Sequence, residues 1–284
     1  MKKVRLGVIS QIIYSPDSKI LAAACNGRVY LYESQTLSQI GILNNERGSD
    51  AIDISPNGEF LVSGGNLTLY QISDGAVLRT LSIKKSYPFS QSVSFSADSK
   101  MIAEGNDFFI NIWRVSNGAL LRTIDNYSYV TSVAFAPSGS TLAASTLLDK
   151  ITLWQTSDGT WLRNFVGHKD EITSIAFSPD GNFLASGSFD YTAKIWQVKD
   201  GKLMHTLEFT TPVSDVAFSP DGQVLATSSN DGAVRLWQVS NGELLQTIDL
   251  TNHLVTSVAF SPDGNLLSAS TDDGIIWQWY LEKK

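Results

Sequence analysis

The chain is poor in the residues that cross-link proteins, bind metals or cross membranes. Its 284 residues include one cysteine, three histidines and three methionines. A single cysteine excludes an intrachain disulfide, and the Leu-Ala-Ala-Ala-Cys run that ends at Cys25 favours a buried thiol. No run approaches the ~18 apolar residues of a membrane-spanning helix, and the basic N-terminus lacks the apolar segment of a signal peptide. We therefore expect a soluble, cytoplasmic protein with no membrane partner.

Basic residues are also scarce. Lys and Arg number 21 against 28 Asp and Glu, so the net charge is −7 and the isoelectric point is about 4.9. Binding to a nucleic-acid backbone needs clustered positive charge, whereas the basic residues here are scattered. We expect no nucleic-acid partner. Apolar residues make up 43% of the chain, which is ample for a core.

A repeated phrase fills almost the whole chain. It consists of a Phe-Ser-Pro-Asp-Gly-like turn, a short Leu-Ala-Ser strand and then an aromatic residue. The seven turn anchors, spaced 40 to 42 residues apart, are Pro16, Pro56, Ala97, Pro137, Pro179, Pro220 and Pro262. A period near forty residues with turns between short β-rich runs is typical of a radial β-array. The repeat predicts one domain over residues 1–284, since neighbouring repeats bury their apolar faces only against each other.

One well-formed repeat shows how each unit is built. The alternating segment 171–177 predicts a strand, and residues 178–181 (Ser-Pro-Asp-Gly) predict a tight turn. Further strands are predicted at 182–187, 192–198 and 202–208. Four antiparallel strands joined by short turns form one blade of a β-propeller, so the fold class is all-β with seven four-stranded blades.

The two ends of the chain predict how the ring closes. The seventh repeat ends before a fourth strand can form, whereas residues 2–7 precede the first repeat and match the fourth-strand segments. We expect the N-terminal strand to complete the last blade, which removes exposed strand edges. In that blade both Trp277 and Trp279 fit the aromatic position, and the sequence leaves the register open.

The recurring Phe-Ser-Pro-Asp-Gly, Leu-Ala-Ser-Gly-Ser and Ile-Trp elements, with a Gly-His pair before the fifth repeat, resemble the WD40-repeat family. The resemblance implies a seven-bladed propeller that serves as a scaffold for protein assemblies. It also implies a structural tetrad in the fifth blade, formed by His168, Ser186 (or Ser188), Asp190 and Trp196. The Trp-Asp pair that names the family is absent, because Trp-Gln or Trp-Arg stands in its place.

No catalytic, cofactor or metal site is evident. His168, Asp190 and Ser186 could form a catalytic triad, but the tetrad explains the same residues as blade packing. The other histidines, His205 and His253, have no neighbours at metal-ligand spacing. No glycine-rich phosphate loop precedes a helix. We therefore expect no cofactor and no metal.

Apolar residues interrupt two sets of loops that should be polar. The resemblance places the loop between the second and third strands on the same face as the loop between blades. The residues are Phe108, Leu147, Leu148, Phe189 and Tyr191 in the first set, and Tyr87, Phe89, Tyr127, Tyr129 and Phe209 in the second. Exposed aromatic and aliphatic groups commonly mark a protein-binding surface, although some of these side chains could pack between blades.

We interpret the chain as a non-enzymatic scaffold, monomeric in isolation, that binds a protein or peptide partner on this loop face of blades three to five. The alternative is an enzyme, or a binder of small molecules or carbohydrates, that uses the mouth of the central channel. Trp161 could stack on a sugar. The corresponding positions in other blades are aliphatic, so ordinary packing also explains it.

Overall fold

The computed structural model describes residues 2–44, 51–81, 92–250 and 252–281, and among them it contains strands and no helix. The chain begins with β1 (Lys2–Arg5). Blade one comprises β2 (Ile9–Tyr14), β3 (Ile20–Cys25), β4 (Arg28–Glu33) and β5 (Gln39–Asn44). Blade two comprises β6 (Ile52–Ile54), β7 (Phe60–Ser63), β8 (Thr68–Gln71) and β9 (Val77–Thr80). Blade three comprises β10 (Ser92–Phe95), β11 (Met101–Asn106), β12 (Phe109–Arg114) and β13 (Leu120–Asp125).

The remaining blades follow the same order. Blade four comprises β14 (Val130–Phe135), β15 (Thr141–Thr146), β16 (Lys150–Gln155) and β17 (Trp161–Val166). Blade five comprises β18 (Ile172–Phe177), β19 (Phe183–Ser188), β20 (Thr192–Gln197) and β21 (Leu203–Glu208). Blade six comprises β22 (Val213–Phe218), β23 (Val224–Ser229), β24 (Ala233–Gln238) and β25 (Leu244–Asp249). Blade seven contributes β26 (Val255–Phe260), β27 (Leu266–Thr271) and β28 (Ile275–Tyr280).

The seven sheets confirm the predicted β-propeller. Each has four antiparallel strands in the described residues, and the inner strands contact one another in cyclic order around the ring. Apolar clusters lie between neighbouring blades, so each blade buries its faces against the next. None of the described residues forms a helix with the length and apolar character needed to cross a membrane.

In every blade except blade four, the repeated turn is held by a serine and an acidic or amide residue. In blade five, Ser178 Oγ donates to Asp180 Oδ1 at 2.5 Å and accepts the N–H of Phe183 at 2.9 Å. Gly181 has a φ of 71°, in the left-handed region that glycine adopts without strain. The hydrogen bond from Ser178 holds the pKa of Asp180 below its ordinary value. The phrase recurs because each blade needs this turn.

Side chains of the inner strands join neighbouring blades around the channel. Asp215 of β22 accepts hydrogen bonds from Ser174 Oγ of blade five at 2.7 Å and from Ser257 Oγ of blade seven at 2.7 Å. It also accepts the backbone N–H of Val258 at 3.1 Å. In three other blades a side chain of the inner strand likewise accepts a backbone N–H of the next blade. The pairs, acceptor first, are Gln11 and Ile52, Ser92 and Val133, and Ser257 and Ile12. These bonds satisfy buried polar groups and set the distance between blades.

The N-terminal strand closes the ring as predicted. β1 pairs with β28, with Val4 opposite Ile276, and the backbone N–H of Leu6 donates to the carbonyl of Gly274 at 2.6 Å. The structure also decides the register of the last blade. Trp279 lies opposite Leu267, just as Trp237 lies opposite Leu225 in blade six, so Trp279 occupies the repeated aromatic position.

Candidate functional site

Seven of the predicted surface residues are exposed on blades three to five. Their exposed fractions range from 41% for Leu147 to 80% for Tyr127. We call them the sector surface, and its members are Phe108, Tyr127, Tyr129, Leu147, Leu148, Phe189 and Tyr191. Large exposed apolar side chains that share one face of a protein commonly mark an interaction site.

Backbone hydrogen bonds place both sets of loops on one face of the ring. In blade four the N–H of Leu147 donates to the carbonyl of Tyr129 at 3.1 Å, which joins the turn between β15 and β16 to the preceding inter-blade loop. In blade five the N–H of Phe189 donates in the same way to the carbonyl of Glu171 at 2.9 Å. The rings of Phe108 and Tyr129 lie 4.7 Å apart between centroids, so blades three and four share one aromatic patch.

Among the blades with a three-residue turn between the second and third strands, only blades four and five have large apolar residues there. The turn between the second and third strands has three residues in blades four to seven. In blade four it reads Leu147-Leu148-Asp149, and in blade five Phe189-Asp190-Tyr191. The corresponding turns are Asn230-Asp231-Gly232 in blade six and Asp272-Asp273-Gly274 in blade seven. The fold therefore does not require apolar residues at these positions.

Tyr191 has a backbone conformation that disfavours its own side chain. Its φ is 66°, in the left-handed region where Cβ crowds the backbone. Gly232 and Gly274 occupy the corresponding positions with φ of 83°. A half-exposed tyrosine thus takes the place of a residue that fits without strain, and such strain often accompanies functional sites.

Three predicted surface residues are not part of this exposed set. Tyr87 and Phe89 lie outside the described residues. Phe209 is partly buried, with its ring 5.5 Å from that of Trp237 and 5.3 Å from the guanidinium of Arg235. Phe209 follows the last strand of blade five, and both side chains that contact it belong to blade six. It therefore packs between the two blades.

The four tetrad residues of blade five are joined by hydrogen bonds. The indole N–H of Trp196 donates to Ser186 Oγ at 2.9 Å, Ser186 Oγ lies 2.7 Å from His168 Nε2, and His168 Nδ1 lies 2.8 Å from Asp190 Oδ2. A neutral imidazole with its proton on Nδ1 satisfies all three bonds. Ser186 is fully buried and its oxygen already accepts from Trp196, so these residues pack the blade instead of presenting a nucleophile.

Asp190 is the last residue in this series of hydrogen bonds. Burial would raise the pKa of Asp190, but hydrogen bonds from His168, Thr192 and the backbone N–H of Lys169 hold it well below its ordinary value. The ionised carboxylate therefore fixes the turn before β20 to the loop before β18 across the pH range in which proteins fold.

The central channel is lined mainly by hydroxyl groups. A cavity of about 140 Å³ is bordered by serine and threonine side chains, Gln11 and Asp215. Burial raises the pKa of Asp215, although hydrogen bonds from Ser174, Ser257 and two backbone N–H groups act in the opposite direction. The carboxylate is thus engaged in holding three blades together.

The structure also brings together three residues that the sequence did not connect. His253 Nδ1 lies 3.2 Å from Asp272 Oδ1, and His253 Nε2 lies 3.8 Å from Asp273 Oδ2. Their donor atoms lie within 4.8 Å of one another, a spacing that could hold a metal ion. The pairing depends on the loop before β26 meeting the turn after β27, so spacing along the chain did not reveal it.

Comparison with known proteins agrees with this architecture. A family model described as the IFT122 first beta-propeller matches residues 129–284, which is more than half of the chain. The chain belongs to the WD40-repeat family of β-propellers. Membership accounts for the seven blades and for the tetrad pattern of blade five.

Two curated relatives resemble parts of this WD40 propeller. COMPASS component SWD3 of Saccharomyces cerevisiae is 30% identical over 141 residues, which cover 49% of this chain and 44% of that protein. Periodic tryptophan protein 2 homolog of Schizosaccharomyces pombe is 27% identical over 125 residues, covering 42% of this chain and 14% of that protein. The match thus spans less than half of each relative.

Proposed function

We propose that this protein is a non-enzymatic scaffold that binds a protein or peptide partner on the sector surface. The observation that carries the proposal is the exposure of seven large apolar or aromatic side chains on one face of blades three to five. Tyrosine and phenylalanine are frequent anchors of protein interfaces because they bury a large area at a small cost in side-chain entropy.

Two further observations support this function. Tyr191 keeps a large side chain at a strained position that glycine fills in blades six and seven, as expected where contact with a partner compensates for the strain. One relative is named as a component of COMPASS, and membership of an assembly is the role that a scaffold performs.

The alternative site at the channel mouth has less support. Catalysis there would depend on hydroxyl groups and on Asp215, whose carboxylate already accepts hydrogen bonds from blades five and seven. The side chains of the sector surface are more exposed than the groups at the channel, and they do not join blades as Asp215 does. We therefore prefer the sector surface as the binding site.

Affinity capture with paired variants tests the proposal. The partner is first identified by capture from the native host and mass spectrometry, and its affinity for the purified chain is then measured. Phe189→Asp and Leu147→Asp introduce the residue that blade seven carries as Asp272. We expect each change to weaken partner binding by about ten-fold or more, because a charge replaces an apolar anchor.

The control is Asn230→Asp, which adds the same charge at the corresponding position of blade six. It should leave partner binding unchanged, and all three variants should melt at the wild-type temperature. If the partner binds Phe189→Asp and Leu147→Asp with wild-type affinity, the partner docks elsewhere.

We also propose that the chain is monomeric and cytoplasmic, since nothing in its composition requires a membrane or a second copy. Light scattering of the purified protein and imaging of a fluorescent fusion in host cells test these two points. A dimeric mass or a fusion confined to another compartment would contradict them.

A further inference from the structure

A cleft opens at the rim of the ring between blades three and four, outside the sector surface except for Tyr127. Its volume is about 420 Å³, within the range of roughly 300–1,000 Å³ that is usual for small-molecule sites. We call it the rim cleft. The lining residues that matter below are Asn126, Lys150, Thr152, Trp154 and Trp161.

The rim cleft is open because Thr152 is short. Thr152 lies opposite Ala144 on the face of β16 that points to blade three. In blades five, six and seven the corresponding residues are Lys194, Arg235 and Trp277. Arg235 stacks on Phe209 and fills the equivalent gap between blades five and six. Among the described residues, no comparable side chain of β16 fills the gap in front of blade four.

Trp154 has a buried indole N–H with no hydrogen-bond partner among the described residues. In blades three, five and six the corresponding tryptophans donate to Glu104, Ser186 and Thr227. Ala144 stands at this acceptor position in blade four, so the donor of Trp154 is left for another group.

Asn126 adds both a donor and an acceptor to the lining of the same cleft. Its side chain is 3% exposed, yet neither its Oδ1 nor its Nδ2 has a partner among the described residues. The corresponding residues, which share its backbone hydrogen bond to the preceding turn, are Leu81, Phe209 and Leu250. Phe209 packs against the tryptophan of the next blade, and Leu81 and Leu250 each belong to the same apolar cluster as that tryptophan. A buried amide without partners destabilises the fold, so a hydrogen-bonding molecule in the rim cleft would stabilise it.

Trp161 supplies a flat apolar surface at the mouth of the rim cleft. Its side chain is 54% exposed, and its indole N–H is directed away to Asn164 Oδ1 at 3.1 Å. The corresponding residues in blades three, five and six are Leu120, Leu203 and Leu244. The charged groups of the lining balance, since Arg122 and Lys150 are matched by Asp125 and Asp158.

We propose that the rim cleft binds a small neutral saccharide, a mono- or disaccharide. Hydroxyl groups both donate and accept hydrogen bonds, so one sugar can satisfy the N–H of Trp154 and both ends of the Asn126 amide. The apolar face of a sugar ring matches the exposed face of Trp161. The balanced lining favours an uncharged ligand over an anion or a cation. This site shares only Tyr127 with the partner surface proposed above.

Titration with defined sugars tests the proposal. Glucose, galactose, mannose, N-acetylglucosamine, maltose and cellobiose are added separately to the purified chain, and tryptophan fluorescence and ligand-observed NMR are recorded. We expect saturable binding of at least one sugar with a Kd below about 10 mM. Asn126→Leu and Trp161→Leu copy residues of the other blades and should each weaken that binding about ten-fold.

A repair variant separates binding from folding. Ala144→Ser gives Trp154 the hydroxyl acceptor that Ser186 gives Trp196, so it should raise the melting temperature and weaken sugar binding. Asn126→Leu should also raise the melting temperature, because an unpartnered amide is removed. Phe189→Asp on the sector surface should leave sugar binding unchanged.

Two results would overturn the proposal. One is that none of the six sugars gives a saturable signal. Binding of a different hydrogen-bonding ligand, such as the tripeptide Gly-Gln-Gly, would not rescue the proposal. The other is a sugar that binds Asn126→Leu and Trp161→Leu as tightly as the wild type. Because partner capture is measured separately, either result leaves the partner surface untouched.

Discussion

At the scale of single residues, Asp53 is the most unusual group of the inner strands. Its two carboxylate oxygens accept the backbone N–H groups of Phe95 at 2.6 Å and Ile54 at 2.8 Å. Burial raises the pKa of Asp53 to about 7, although these two hydrogen bonds act to lower it. The next blade makes the same contact with Ser94, which accepts the N–H of Phe135 without carrying a charge.

The raised pKa predicts that Asp53 makes stability depend on pH. The folded chain holds a proton on Asp53 up to about pH 7, whereas the unfolded chain releases it near pH 4. This contribution is fully present below pH ~4 and is lost as pH rises through ~7, a change on the order of 4 kcal/mol. As the pH rises from 5 to 8, the wild type should therefore lose stability, whereas Asp53→Ser, which copies Ser94, should keep it.

Urea unfolding at both pH values measures this effect. Ser94→Ala is the matched control, because it removes an acceptor that does not titrate and should cost the same stability at pH 5 and pH 8. Parallel pH profiles for the wild type and Asp53→Ser would show that Asp53 does not titrate in this range.

At the scale of one element, blade five shows what the tetrad contributes. Ser186 connects Trp196 on β20 to His168 in the loop before β18, so a single hydroxyl joins two strands and a loop. In blade six Thr227 Oγ1 accepts from the indole of Trp237 at 3.0 Å and donates a long bond of 3.4 Å to the backbone carbonyl of Arg235. The two blades therefore differ in how many buried groups depend on the hydroxyl.

This difference predicts unequal costs for two similar substitutions. Ser186→Ala leaves two buried groups without partners and should cost roughly 2–4 kcal/mol, whereas Thr227→Val leaves only the indole of Trp237 and should cost about half as much. Denaturant midpoints of the two variants measure the ratio. Equal losses would mean that the His168 bond contributes nothing to stability.

At the scale of the whole molecule, the ring depends on a strand from the other end of the chain. Val4 and Leu6 pack with the core cluster that includes Ile12 and Ile276. Without β1, the edge of β28 would expose unpaired backbone groups that can pair with another molecule.

Deletion of residues 1–7 should therefore lower the melting temperature by several degrees and promote association. Calorimetry and light scattering measure the two effects. Arg5→Ala keeps the strand and should behave like the wild type. A truncated protein that melts normally and stays monomeric would contradict closure by β1.

Much of this fold follows from local sequence. The turn phrase and the period-two strands predict blade five almost to the residue, for example 192–198 against the observed Thr192–Gln197. The tetrad residues and the residues of the turns could be assigned in the same way, because their assignment needs only their positions within a repeat. The side chains that meet across blades could not, since their partners lie in the next repeat.

Phe209, Asn126 and His253 show this limit. Phe209 has the same apolar character as the exposed residues, and only its contacts with Trp237 and Arg235 make it part of the packing. Asn126 looks like an ordinary loop residue in the sequence, and only the structure shows that it is buried and lines the same cleft as Trp154. His253 meets Asp272 only because a loop and a turn of blade seven come together.

The sequence by itself determined the number of blades, their strands and the strand that closes the ring, because turn chemistry and side-chain alternation are local properties. The tertiary structure alone decided which side chains are free to meet a ligand. Burial and hydrogen bonding are properties of pairs, and in a propeller those pairs form between blades. The rim cleft forms only when blade three is packed against blade four. It then combines the gap beside Thr152, the unpartnered N–H of Trp154 and the exposed face of Trp161.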